Sequence, residues 1–114
     1  MSHSTLGNGE WLLKGNSLFS EDRSVEFKMQ EDGKIAVYWG GQCRFQNTSH
    51  QSYNMKGIKM EKDGVLRMYD DNDKVVWETK LEGAGDSTVI CAVQNDGNVV
   101  LYRGTPIWAS HTQK

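Results

Sequence analysis

Three stretches of the chain share one pattern of hydrophobic and polar positions. In each, apolar residues alternate with polar ones on both sides of an Asp-Gly pair: Asp32-Gly33, Asp63-Gly64 and Asp96-Gly97. Alternation with a period of two is typical of strands that bury one face, and Asp-Gly between two such runs is typical of a β-hairpin turn. Because the pairs stand 31 and 33 residues apart, the pattern predicts three copies of one structural repeat.

The apolar positions of the three copies match when the copies are aligned on the glycine. Four positions in each copy are apolar or cysteine, and we expect them to form the inward faces of three hairpins. No stretch has the periodicity of an amphipathic helix, so we predict an all-β chain. The matched inward positions are Phe27, Met29, Ile35 and Val37, then Ile58, Met60, Leu66 and Met68, and finally Cys91, Val93, Val99 and Leu101.

The outward positions of the third copy carry a different set of groups. From Gln94 to Tyr102 a straight strand would span roughly 26 Å at about 3.3 Å per residue, so the chain must turn back near Asp96. Cross-strand partners point to the same face, and Gln94, Val100 and Tyr102 can therefore share a face only if the loop is odd in length. We predict a three-residue loop from Asp96 to Asn98. The side chains of both loop ends then lie beside that face.

This outward set, Gln-x-Asp-x-Asn-x-Val-x-Tyr from Gln94 to Tyr102, resembles the sugar-binding motif of the bulb-type mannose-binding lectins, also called monocot, snowdrop-type or B-type lectins. Similar proteins include the lily-type lectins of fish skin mucus. The resemblance covers nearly the whole chain and implies a single domain over residues 1–114. It also implies the β-prism II fold, in which three four-stranded antiparallel sheets surround a pseudo-threefold axis.

The side chains of the motif have the chemistry that a neutral sugar needs. Asp96 accepts hydrogen bonds, whereas the Gln94 and Asn98 amides and the Tyr102 phenol both donate and accept. Val100 offers an apolar rest for the ring. The resemblance implies that Gln94, Asp96 and Asn98 hold the 2-hydroxyl region of mannose and that Tyr102 binds the 4-hydroxyl. The alternative is that Asp96 and Asn98 are only turn residues and Tyr102 only a strand aromatic.

The first copy, residues 30–38, keeps part of the motif. Gln30, Asp32 and Tyr38 are present, but Lys34 replaces the asparagine and Ala36 replaces the valine. Lysine only donates hydrogen bonds, and the alanine side chain is too small to give the sugar ring the apolar contact that valine gives. We therefore predict a weakened second sugar site at this copy.

The second copy, residues 61–69, keeps only Asp63 and Tyr69 of the motif. Glu61 replaces the glutamine, Val65 the asparagine and Arg67 the valine. We predict that an ion pair between Glu61 and Arg67 plugs the pocket and that this copy does not bind sugar.

Aromatic and cysteine residues complete the expectations about the interior. Phe45, Trp77 and Trp108 follow the three copies at matching places, and we expect them to fill the middle of the prism as core residues. Cys91 matches buried positions in the other copies, which is typical of a small hydrophobic residue. A disulfide between Cys43 and Cys91 would need Cα atoms within about 7 Å, and the sequence leaves this pairing open.

Charge and composition exclude several functional classes. A net charge of −2 and a pI near 5.9 without a clustered basic face exclude nucleic-acid binding, and the apolar runs are too short for membrane insertion. His3, His50 and His111 lack metal-ligand spacing, so we expect no metal and no other cofactor. We read the acidic run 70–73 as a hairpin turn and not as a calcium loop. No pairing of acid, base and nucleophile suggests an enzyme.

The resemblance therefore implies a mannose-specific, metal-independent lectin with one intact and two degenerate sites, acting in defence or agglutination on mannose-containing glycans and glycoproteins. The alternative is a protein-interaction module, such as a cell-surface ligand, inhibitor or antibacterial protein, whose sugar sites have decayed. The resemblance also implies a homodimer in which a C-terminal strand near residues 107–112 is exchanged. The N-terminus lacks the pattern of a signal peptide, so we expect secretion by another route, a mature form of a secreted protein or, alternatively, a cytoplasmic location.

Overall fold

A computed structural model describes residues 3–46, 54–80, 85–103 and 105–114, with only the backbone of residues 105–107. Every regular element in these ranges is a strand. The described residues contain no membrane-spanning helix. The strands are β1 Thr5–Leu6, β2 Trp11–Leu13, β3 Ser17–Phe19, β4 Val25–Met29, β5 Ile35–Trp39, β6 Gln42–Gln46, β7 Met55–Met60, β8 Leu66–Asp70, β9 Val75–Glu78, β10 Ile90–Val93, β11 Val99–Arg103 and β12 Thr105–Ala109.

The strands form three four-stranded antiparallel sheets. The first sheet has the order β3-β4-β5-β6, the second β2-β7-β8-β9 and the third β1-β10-β11-β12. Each sheet has one repeat hairpin at its centre, with the strand that follows the hairpin on one side and a short N-terminal strand on the other. The predicted all-β architecture of three four-stranded antiparallel sheets is confirmed.

The three N-terminal strands follow one another directly, yet each joins a different sheet. Leu6, Leu12 and Leu18 stand six residues apart in the sequence, and each is buried against the inward face of its own sheet. The glycine turns between them, at Gly9 and Gly15, have φ angles of 81° and 88°, a region that glycine enters without steric cost. The cross-strand partners are Leu6 with Cys91, Leu12 with Ile58 and Leu18 with Phe27.

The core is built from the inward positions that the sequence predicted. All twelve matched apolar and cysteine side chains are buried in one cluster. Phe45, Trp77 and Trp108 are half-buried and pack against this cluster. The Trp108 ring meets Phe45 and Trp77 edge to face, with centroids 6.5 and 6.4 Å apart, an arrangement that aromatic rings favour. The prediction that these three aromatics are core residues is confirmed.

The three repeat hairpins turn through the same pattern of main-chain hydrogen bonds. In the third, the Gln94 N–H donates to the Asn98 carbonyl at 2.9 Å and the Gly97 N–H donates to the Gln94 carbonyl at 3.0 Å. The equivalent distances are 2.8 and 3.1 Å in the first hairpin and 3.0 and 3.0 Å in the second. The turn backbone is thus the same whatever the outward side chains are.

The loop of the third hairpin is residues 95–97, and the prediction of 96–98 was wrong by one residue. Ala92, and not Gln94, is the cross-strand partner of Val100. The physical reason is that the last residue of such a three-residue loop takes a left-handed conformation, which Gly97 adopts with a φ of 92°. The odd loop length was right, so Val93, Val99 and Leu101 point inward as predicted.

Both cysteines are free thiols. Cys43 is exposed on the edge strand β6, whereas Cys91 is buried on β10. Burial raises the pKa of the Cys91 thiol to about 12. The pairing that the sequence left open is therefore not formed.

The C-terminal strand and the residues after it lie against the chain's own third hairpin. β12 pairs with β11 of the same chain, and the Lys114 N–H then donates to the Asp96 carbonyl. The Trp39 indole N–H donates to the Thr112 carbonyl at 2.6 Å, and Lys114 Nζ donates to Ser24 Oγ at 2.8 Å. We call residues 110–114 the C-terminal tail; it joins the third turn to the first sheet.

Candidate functional site

The third motif lies on the outer face of the third sheet, around the turn from β10 to β11. Gln94 Nε2 donates a hydrogen bond to Tyr102 Oη. Asp96 is exposed, and its Oδ1 accepts the Asn98 N–H at 3.0 Å. Val100 is only 2% exposed, so little of its surface reaches solvent. The structure thus brings the five candidate residues to one hairpin, with the carboxylate more open than the valine.

Asn98 differs from its neighbours because its side chain is nearly enclosed, at 9% exposure. Its amide oxygen Oδ1 accepts the Val99 N–H at 3.1 Å and the Ser110 hydroxyl at 2.9 Å. A longer bond of 3.4 Å comes from the Thr112 N–H. The Asn98 amide is therefore held from behind by the C-terminal tail.

The first motif forms a connected chain of side-chain hydrogen bonds. Gln30 Nε2 donates to Asp32 Oδ1 at 3.1 Å, and the Tyr38 hydroxyl donates to Gln30 Oε1. Burial raises the pKa of Tyr38, with smaller contributions from neighbouring negative groups. Ala36 is fully buried, and a depression of about 320 Å³ borders Gln30 and Asp32. The structure thus brings the three predicted residues of this motif together.

The second motif is occupied by its own arginine. Arg67 donates two parallel hydrogen bonds to Asp63, of 3.0 and 2.8 Å, and a third of 3.1 Å to Glu78. These bonds hold the pKa of Asp63 below its usual value of 3.8 and raise that of Arg67. Arginine and carboxylate form their strongest hydrogen bonds in this bidentate geometry.

The predicted ion pair between Glu61 and Arg67 is present, with a Glu61 oxygen 3.9 Å from Arg67 Nη1. It is a longer contact than the bidentate pair with Asp63, which the prediction did not include. Glu61 also bonds to the Tyr69 hydroxyl and lies 4.0 Å from Lys59. The prediction that Arg67 fills the second motif is confirmed, with Asp63 and Glu78 as its main partners.

Within the described residues, no group of three or more His, Cys, Asp or Glu side chains could hold a metal ion. The acidic run 70–73 forms the turn from β8 to β9, as predicted. Asp70 Oδ1 accepts the N–H groups of Asn72 and Lys74, both at 2.9 Å, and Asp73 pairs with Lys56 at 2.7 Å.

Comparison with known proteins identifies relatives of the chain and of its fold. No family model matches the chain. A mannose-specific lectin of Aloe arborescens is 27% identical over 76% of this chain and 79% of its own. The mannose-specific lectin CEA of Colocasia esculenta is 28% identical over 90% of this chain, which spans only 39% of that relative's length.

Solved structures give a broader match. A lectin of Marasmius oreades superposes with a TM-score of 0.84 at 30% identity, over 96% of this chain and 92% of its own. The chain belongs to the bulb-type lectin family. A monomeric mannose-binding lectin of Gastrodia elata superposes at 0.82 with 27% identity, over 97% of this chain and 99% of its own. The mannose-specific agglutinin of snowdrop, complexed with methyl-α-D-mannoside, superposes at 0.72 with 29% identity, over 97% and 98%.

As a bulb-type lectin, the chain has the β-prism II fold that the resemblance implied. Sequence reasoning placed the motif residues but missed three residues that contact them: Glu78 and Ser110 through their side chains, and Thr112 through its main-chain N–H. Glu78 and Ser110 each follow a motif by a similar interval and lie just after Trp77 and Trp108. The repeated tryptophan was therefore the signal that could have drawn attention to them.

Proposed function

We propose that this bulb-type lectin binds mannose, without a metal ion, through its third motif. The observation that carries the proposal is the gathering of Gln94, Asp96, Asn98 and Tyr102 around one turn, with the Asp96 residue exposed to solvent. Support comes from relatives that are named mannose-specific lectins and from the snowdrop agglutinin, which holds a mannoside.

The chemistry of the third motif suits a single sugar ring. The exposed Asp96 carboxylate accepts from hydroxyl groups, and the Asn98 amide donates to them. Gln94 and Tyr102, joined by their hydrogen bond, offer an amide and a phenol at the other end of the site. A few hydrogen bonds of about 1 kcal/mol each, less the cost of ordering the ligand, give a weak affinity for a monosaccharide.

The first motif is a weaker second site in this proposal. Its three retained side chains are already connected to one another through Gln30, and a sugar must compete with those bonds. Lys34 can donate to a hydroxyl but cannot accept. We propose no sugar site at the second motif, because the Arg67 guanidinium occupies the Asp63 carboxylate.

A protein-interaction role is the second candidate function. It is favoured by the outer face of the second sheet, where Leu13 is 46% exposed and Val75 is 40% exposed around the occupied motif. Contiguous exposed apolar surface is what marks protein contact sites, and these two side chains lie on a face where we propose no sugar site. In this alternative the lectin scaffold binds a protein whether or not mannose is present.

The C-terminal strand bears on whether the protein is a monomer or a dimer. A homodimer formed by exchange of the C-terminal strand would cover an open sheet edge, but β12 here completes its own third sheet. The Gastrodia elata relative, described as monomeric, favours a monomer instead. Light scattering of the chain distinguishes a monomer from a dimer, and a variant truncated after Arg103, which lacks β12, should not form the exchanged dimer.

We propose extracellular action, in defence or agglutination.

Calorimetric titration of methyl-α-mannoside in EDTA tests the main proposal. At mannoside concentrations too low to fill the weaker first motif, we expect about one sugar per chain, with heat that disappears in Asp96→Ala. Asp63→Ala is the matched control, because Asp63 takes the equivalent place in the second motif and should leave binding unchanged. A stoichiometry near two would add the first motif as a working site. A folded protein that gives no heat would overturn the proposal in favour of the protein-interaction role.

A further inference from the structure

Two hydroxyl side chains of the C-terminal tail lie directly behind the third motif. Ser110 Oγ is 2.9 Å from Asn98 Oδ1 and 2.6 Å from Thr112 Oγ1. Thr112 Oγ1 also lies 2.7 Å from the Gly97 carbonyl oxygen, and because Ser110 gives its only hydrogen to Asn98, the single Thr112 hydrogen serves either this carbonyl or Ser110 Oγ. Thr112 is 6% exposed, so this chain of hydroxyls is shielded from water. It connects the side-chain amide of Asn98 to the main chain of the turn.

The donors around the amide determine which way it faces. The main-chain N–H groups of Val99 and Thr112 both point at the inward atom of the Asn98 amide, at 3.1 and 3.4 Å. A main-chain N–H can only donate, so the inward atom must be the acceptor oxygen, and an inward NH₂ group would face two donors. The nitrogen Nδ2 is then the end of the amide that remains for a ligand.

We propose that Ser110 and Thr112 are positioning residues of the third sugar site: their hydroxyls enclose the Asn98 amide from behind and fix its place, while the main-chain N–H groups of Val99 and Thr112 keep its oxygen inward and its nitrogen toward the sugar. This inference rests on the proposed mannose-binding function. It assigns Asn98 as a donor only, opposite the acceptor carboxylate of Asp96. A sugar hydroxyl between them accepts from one and donates to the other, and the amide needs no reorientation when the sugar binds.

The second repeat contains the equivalent hydroxyl contact, but it has no side-chain amide for that hydroxyl to position. There the Leu66 N–H donates to Thr79 Oγ1 at 3.1 Å, and the Thr79 N–H donates to the Leu66 carbonyl at 3.1 Å. The Val99 N–H and Ser110 make the equivalent pair, at 2.9 and 2.8 Å. Val65 stands where Asn98 stands in the third repeat. Thr79 therefore has the structural part of the role of Ser110 and lacks the positioning part.

This repeat relation provides a matched set of variants for mannoside titration. We expect Ser110→Ala and Thr112→Val to weaken binding of methyl-α-mannoside by about fivefold each, as loss of one neutral hydrogen bond predicts. Thr79→Val removes an equivalent structural hydroxyl and should leave the affinity unchanged. In an Asn98→Ala background, Ser110→Ala should have no further effect on affinity, because there is no amide left to position.

A second measurement follows the amide itself in the protein without sugar. The side-chain NH₂ resonances of Asn98, assigned by their loss in Asn98→Ala, should shift in Ser110→Ala and Thr112→Val and stay in place in Thr79→Val. This readout distinguishes positioning from a general loss of stability, which all three variants would share. It also remains informative if one variant is too unstable for titration.

The outcomes separate this inference from the function on which it rests. If the unmodified protein binds no mannoside, the proposed function fails by itself. If Asp96→Ala abolishes binding but Ser110→Ala and Thr112→Val bind like the unmodified protein, only the positioning role is overturned. Truncation after His111 gives a further contrast: stronger binding would mean that the tail covers the site, which also contradicts positioning.

Discussion

The second and third motifs have the same backbone but opposite side-chain chemistry. Both turns close with main-chain bonds of 2.9–3.0 Å, and both retain the motif aspartate and tyrosine. In the second motif Asp63 is bound by Arg67 at both oxygens. In the third, Val100 takes the place of that arginine, and Asp96 remains exposed.

The difference teaches that the turn and the binding site are separate requirements in this repeat. The Asp-Gly pair forms the turn, because the aspartate accepts a main-chain N–H in every copy, at 3.1 Å in the first and second and 3.0 Å in the third. Under the proposed function, whether the same carboxylate can also bind a sugar depends on the residue four positions later. A valine leaves it available, and an arginine neutralises it within the chain.

The largest expected effect comes from moving the arginine into the third motif. We expect Val100→Arg to weaken mannoside binding by at least about tenfold, because the sugar must displace a bidentate pair with Asp96. Val100→Ala is the control, since it removes the side chain without adding a cation, and it should cause a smaller loss. Titration together with circular dichroism checks both variants. Unchanged affinity in a folded Val100→Arg would contradict the comparison.

The reverse exchange should create a site in the second motif. Glu61→Gln, Val65→Asn and Arg67→Val together restore the five motif residues, so we expect the number of mannosides bound per chain to rise by one. The stoichiometry of a calorimetric titration measures this gain. Adding Asp63→Ala to the triple variant should remove it. An unchanged stoichiometry would mean that residues outside the hairpin are also required.

Alanine at the turn glycines should distinguish stability from binding. Gly97 and Gly64 have φ angles of 92° and 82°, where a side chain costs about 1–2 kcal/mol. An added Cβ would also lie 2.8 Å from the Thr112 carbonyl oxygen at Gly97, and 2.8 Å from a Val89 methyl at Gly64. We expect both variants to unfold at lower denaturant concentration, and only Gly97→Ala to weaken mannoside binding, since only its clash moves the tail.

The smallest expected effect concerns the pH dependence of the Asp63–Arg67 pair. Because the folded pKa of Asp63 is lowered from 3.8, the pair stabilises the folded state above that pH, and the contribution is lost as the pH falls through the folded pKa. Asp63 is half-exposed, so this contribution is at most about 1 kcal/mol. A carboxyl titration by NMR should show the Asp63 pKa rising toward 3.8 in Arg67→Val. An unmoved pKa would contradict the pairing.

Much of the fold could be predicted because its signals are local. The alternation of Phe27, Met29, Ile35 and Val37 and of its two counterparts fixes which face of each hairpin is buried. The predicted position of the loop was wrong by one residue. Moving the loop by one position shifts the strand register by two residues, and this leaves the pattern of alternation unchanged. The left-handed conformation of Gly97 decides between the two arrangements.

The candidate site could be predicted as far as it lies within one hairpin. Gln94 and Tyr102 meet because the register places them on one face, and the same holds for Gln30 and Tyr38. The partners of Arg67 could not be assigned, because Asp63 and Glu61 both lie within reach of a long side chain. Only the direction of the guanidinium in the folded sheet distinguishes them.

The three hairpins, their buried faces and the motif residues at each turn could be predicted from the chain of amino acids, since they depend on contacts between residues close in the chain. Only the folded molecule shows that β1, β2 and β3 join three different sheets and that Ser110 and Thr112 enclose Asn98. Those contacts depend on how the whole prism packs. The burial of a short strand or a tail is set by distant partners, which leave no periodic signal in the strand or tail itself.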